Sequence, residues 1–126
     1  MSLLRLLGTW LLLALLMPLN GALREFGFKR VMPAGLAEVL SVATGVAIIL
    51  ATTRWLFRIP PETASRQLVA YSAILVILTI AYEFAIGLAG GRSMAELLEN
   101  YAIWRGKLWP LVLAALAATP WLWRGR

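Results

Sequence analysis

Of 126 residues, 61% are apolar or aromatic and only 14% are charged, with a mean hydropathy of +0.80, leaving too little polar side chain to cover a water-facing surface. Twelve Lys and Arg against six Glu give a net charge of +6. With no Cys and no His, the chain has no disulfide, thiolate, Cys-based zinc site, haem histidine or His-dependent triad, so no enzyme, metal or cofactor is expected.

The cations are scattered singly at the ends of apolar runs, which excludes a nucleic-acid patch and fits the flanks of membrane spans. The expectation is an all-α, polytopic membrane protein. Residues 1–126 would form a single transmembrane domain of four spans plus one short interfacial amphipathic helix.

The first span is expected over 4–23, since Leu6–Leu23 runs 18 residues without a charge. Arg5 and the apolar run behind it also fit a secretory signal peptide. Asn20, however, stands where a small residue is expected before a cleavage site, favouring an uncleaved span. The second span is expected over 34–55, opened by Pro33 and closed by Arg54, Arg58 and Pro60-Pro61. It carries two small-residue stripes at every fourth position, Ala37/Ser41/Gly45 and Ala43/Ala47/Ala51, suited to close helix approach in lipid.

The third span is expected over 67–90, with Glu83 as its one charge and a further stripe of Ala81, Ala85 and Ala89. Gly87, Gly90 and Gly91 read as its stop. Ser93 to Glu96 is a capping box that starts an amphipathic helix over 93–104, lying in the interface. The fourth span is expected over 106–123, with Arg105 and Lys107 snorkelling to the headgroups. Trp55, Trp104, Trp109, Trp121 and Trp123 fall at span ends as interface anchors.

Four spans put both termini on one side. Each side then carries six cations, but Glu62 alone stands on the terminal side against five glutamates on or nearer the other. That imbalance points the termini into the cytoplasm of a bacterial inner membrane.

The candidate polar site gathers Glu83, inside the hydrocarbon region, with Asn20, Arg24 and Glu25 closing the first span, Glu38 opening the second, and Arg92. Ser72, Thr79, Glu83 and Gly90 share one face of the third span. Glu83 reads either as a proton- or cation-binding carboxylate or as a structural group, ion-paired with Arg24 or Arg92 or hydrogen-bonded between helices. The interior of so small a bundle is expected to be narrow and filled by side chains. No span is broken midway by Gly or Pro.

With Asn20-Gly21, Arg24-Glu25, Glu83 and the run Tyr101 to Pro110 in view, the chain resembles small four-helix bacterial inner-membrane proteins of unassigned function over nearly its full length. The resemblance implies the architecture and no activity. In length and span number the chain is also similar to small multidrug transporters, whose essential carboxylate lies in the first helix; the first span here is uncharged through Leu23. Two functions are therefore expected. The first is a non-enzymatic accessory or assembly subunit packed against a larger membrane complex. The second is a homo-oligomeric small transporter or channel using Glu83. The partners in either case are the lipid bilayer and other membrane subunits or further copies of the chain.

Overall fold

The computed structural model describes residues 1–99 and 108–126, and these are helical apart from turns and one isolated parallel bridge between Ile59 and Arg124. In chain order the helices are α1 (Leu3–Leu23), α2 (Lys29–Val31), α3 (Ala34–Leu56), α4 (Ser65–Ala89), α5 (Met94–Glu99) and α6 (Trp109–Leu122). Among the described residues, three stretches are long and apolar enough to cross a membrane: Leu3–Val31 with 29 residues, Ala34–Leu56 with 23 and Ser65–Ala89 with 25. α6 is apolar but has 14 residues, roughly 21 Å at about 1.5 Å per residue.

α1 ends at Leu23, where the first span is expected to end, but helical structure continues beyond it. A π-turn over Arg24–Phe28 carries it into α2, so the polar residues Arg24, Glu25, Lys29 and Arg30 ride on the same continuous helix. Charges alone do not stop a helix. The stop comes at Met32, forced into an extended conformation (φ −149°, ψ 161°) because Pro33 follows. At about 1.5 Å per residue the 29 residues reach roughly 43 Å, longer than a hydrocarbon core of roughly 30 Å.

Two prolines lie inside helices without breaking them. Pro18 cannot donate to Ala14 O, and the Tyr82 hydroxyl of α4 donates there instead at 3.1 Å. Pro120 cannot donate to Leu116 O, and Thr119 Oγ1 takes that carbonyl at 2.7 Å. Hydroxyls that replace lost backbone bonds are what proline needs in a helix without water.

α3 lies between α1 and α6, α6 lies between α3 and α4, and α1 meets α4 only lightly. The buried core joins Leu6 and Leu13 of α1, Ile49 of α3, Leu68 and Leu75 of α4, and Val112 and Leu116 of α6. Along α3 the stripe Ala37, Ser41, Gly45, Ile49 and Thr53 is buried, as small residues at a close helix contact should be. The second stripe, Ala43, Ala47 and Ala51, and the α4 stripe, Ala81, Ala85 and Ala89, face outward.

One end of the bundle gathers both termini and the α3–α4 loop. Tyr71 donates to Met1 O at 2.9 Å, Arg5 Nη1 to Leu56 O at 2.9 Å, and Gly125 N to Ile59 O at 2.7 Å. The opposite end holds the π-turn, the α4–α5 turn and the start of α6. There α4 ends in a Schellman motif, with Arg92 N bonded to Gly87 O at 3.0 Å, Gly91 N to Leu88 O at 3.1 Å, and Gly91 at φ +88°.

Candidate functional site

A cavity of about 770 Å³ runs between α1, α3, α4 and α6 toward the π-turn end. This corrects the expectation of a narrow, filled interior. α1 and α4 are held apart by large side chains that bridge them: Trp10 Nε1 donates to Thr79 Oγ1 at 3.0 Å, and the Trp10 and Tyr82 rings meet edge to face with centroids 5.6 Å apart. The inner half of the cavity is apolar, walled by Trp10, Leu13, Val112 and Leu116.

Its outer half is polar. Asn20, Arg24, Glu25, Glu38, Glu83 and Arg92, which come from α1, the π-turn, α3, α4 and the turn after it, line it together with Lys29 and Ser41, while Thr79 lines the cavity deeper in, beside Trp10. Residues up to 72 positions apart in sequence are brought around one opening because α1 and α4 run upward together and α3 and α6 start beside them.

Asn20 is buried, with 7% exposure. Its amide nitrogen donates to Ser41 O at 3.0 Å, and its amide oxygen accepts from Thr44 Oγ1 at 2.7 Å, locking α1 to α3. Gly45 permits this approach: a methyl group there would come within 3.1 Å of Asn20 Nδ2 and 3.2 Å of Met17 Cε.

Glu38 accepts from Leu108 N at 3.4 Å, at the first turn of α6, where free backbone N–H groups favour a carboxylate. Glu25 pairs with Lys29 at 3.0 Å and with Arg24 at 3.5 Å. Arg24 Nε is buried without a hydrogen-bond partner among the described residues. Glu83 is half-buried, one turn beyond Thr79 on the face turned to the cavity. Ser72, on the same face, donates to Ala117 O of α6 at 2.6 Å. The α4 face read as a polar seam thus points inward along its length.

The tryptophans divide. Trp55 is 80% exposed and Trp121 42%, whereas Trp109 lines the cavity and Trp123 packs on the core and donates to Thr53 Oγ1 at 2.9 Å. Trp104 lies outside the described residues, as do Arg105, Lys107 and the 100–104 part of the expected amphipathic helix.

The described part of that helix, α5, opens with the capping box: Ser93 N donates to Glu96 Oε1 at 3.3 Å and Glu96 N to Ser93 Oγ at 3.1 Å. Leu97 is fully buried in a notch at Gly87, where a methyl group would collide with its Cδ2. Gly87 is therefore a packing site inside α4, and only Gly90 and Gly91 serve as the helix stop. The glycine was visible in the sequence; its partner, from a different helix, was not.

Carboxylates and cations from several helices, gathered at the mouth of a cavity with an apolar floor, can hold a proton, a small cation or a polar head group. Comparison with known protein families, with curated proteins and with solved structures finds no match to this chain.

Proposed function

We propose that this chain is a non-enzymatic, four-span protein of the bacterial inner membrane, with both termini in the cytoplasm, acting as a small transporter with Glu83 as its proton- or cation-binding carboxylate. The supporting observation is the cavity of about 770 Å³, open between four helices and lined by Glu25, Glu38 and Glu83. In this reading α6 crosses as the fourth span. The Lys and Arg count is six on each side, so the orientation rests on the acids: the terminal end carries only Glu62, leaving its cations unmatched, whereas the other five glutamates lie on or nearer the opposite side.

The test is flux. In proteoliposomes with an entrapped pH dye, the native chain should pass protons, or Na⁺ or K⁺, down a gradient, and Glu83→Gln should abolish the flux while the thermal midpoint holds. Flux unchanged by Glu83→Gln overturns the reading.

A second reading is an accessory or assembly subunit of a larger membrane complex, favoured by the outward stripes Ala43/Ala47/Ala51 and Ala81/Ala85/Ala89. A larger complex that copurifies in mild detergent, with no flux from the isolated chain, would support it. A stable homo-oligomer without other proteins would count against it.

A further inference from the structure

We infer that a hollow at the terminal end of the bundle, lined by Arg54, Trp55, Arg58 and Arg126, binds the phosphate of an anionic lipid headgroup. The hollow has a volume of about 530 Å³ and lies outside the central cavity, at the opposite end from its charged mouth. Three guanidiniums line it and no carboxylate side chain does. Among the described residues, none of the three has a Glu within ion-pair distance, the ion pairs being Arg24 and Lys29 with Glu25. Guanidinium matches phosphate oxygens with paired N–H donors, which makes a phosphodiester the fitting ligand.

The cations are held in place before any ligand arrives. Arg58 Nη1 donates to Trp55 O at 2.7 Å and Phe57 O at 3.0 Å, using the free carbonyls at the end of α3. The Arg54 guanidinium lies 5.6 Å from the centre of the Trp123 ring. Arg126 is carried in by the tail, which Gly125 ties to Ile59 O at 2.7 Å. Because α3 ends here, the hollow sits at the level where a membrane places its phosphates, and Trp55, 80% exposed, is the residue type that favours that level. A lipid therefore reaches the hollow without leaving the bilayer, whereas a soluble phosphate must be drawn from water against salt screening.

The inference rests on the membrane reading, and the experiment separates the two. The full chain, purified in mild detergent, is offered equal phosphatidylglycerol and phosphatidylcholine, and the lipids retained are counted by native mass spectrometry. Phosphatidylglycerol should be retained preferentially. Arg126→Gln should lower that preference about fivefold, the effect of about one cation at an anionic surface. Arg54→Gln should act in the same direction, and Arg30→Gln, which removes the same charge at the other end, should leave the preference unchanged. An equal loss from Arg30→Gln, or no preference in the native chain, overturns the site. Full displacement of the lipid by millimolar inorganic phosphate overturns the lipid assignment in favour of a free phosphate. Release of the chain from carbonate-washed membranes would remove the membrane reading and the site together; a retained chain with no lipid preference removes the site alone.

Discussion

The Tyr82 hydroxyl donates to the Ala14 carbonyl oxygen at 3.1 Å, across from α4 to α1, at the one carbonyl in that turn that Pro18 leaves without its helical donor. The bond both completes α1 and fastens it to α4. Tyr82→Phe should therefore cost about 1 kcal/mol, the contribution of a typical hydrogen bond. Pro18→Ala restores the backbone donor, so in that background Tyr82→Phe should cost close to nothing. A double-mutant cycle of thermal unfolding in detergent measures the coupling, and additive costs would show that the two residues act separately.

Gly87→Ala should loosen α5. The added methyl group meets the buried Leu97, which has to leave its notch, and overpacking of this kind costs about 1–3 kcal/mol. Backbone amides over 94–99 should exchange with deuterium faster, while those of α4 around Leu75 stay protected. Leu97→Ala, which makes room for the methyl, should recover part of the lost stability in the double variant.

Gly45→Ala should separate α1 from α3 at the polar end of the cavity, because Asn20 and Met17 occupy the space of the new side chain. The Asn20 bonds to Ser41 and Thr44 would lengthen or break. Asn20→Ala removes the same bonds without crowding. Both variants should unfold at lower temperature, each by about 1–2 kcal/mol. An unchanged midpoint in Asn20→Ala would show that the amide contributes no net stability.

Gly125→Ala should free the C-terminal tail. Gly125 sits at φ +75°, where a side chain costs about 1–2 kcal/mol. Its Cβ would also lie 3.0 Å from Pro61 Cβ. Trypsin should then cleave after Arg124 faster than in the native chain, with no change in the unfolding of the bundle.

The three long helices were legible because a span leaves a direct mark: an apolar run of sufficient length between cations and breakers. The second shows this best, expected over 34–55 and found at Ala34–Leu56, between Pro33 and the Pro60-Pro61 pair. The first, expected over 4–23, matches α1 at Leu3–Leu23; its continuation through the π-turn to the Met32-Pro33 step left no mark, because Arg24 and Glu25 look like a terminus. The residues of the candidate site were also legible, since a carboxylate such as Glu83 in an apolar run is conspicuous. That they would line a real space was not. It depends on Trp10, Thr79 and Tyr82 holding two helices apart, and such a spacing leaves no periodic trace. The two α3 stripes make the same point. Ala37/Ser41/Gly45 and Ala43/Ala47/Ala51 look equivalent as sequence, and only tertiary packing decides that the first is buried and the second exposed.

The helix contacts follow the order α1, α3, α6, α4, with only a light junction closing the ring between α4 and α1. Mechanically, the molecule is two hairpins sharing a broad spine of α3 and α6, buttoned on the far side by Trp10 to Thr79 and Tyr82 to Ala14. Strain from a change in bilayer thickness or from an occupant of the cavity would be relieved at those buttons first, since few contacts resist it there. The cheapest deformation of the bundle is a parting of α1 from α4, which would turn an internal hollow into a cleft facing the acyl chains.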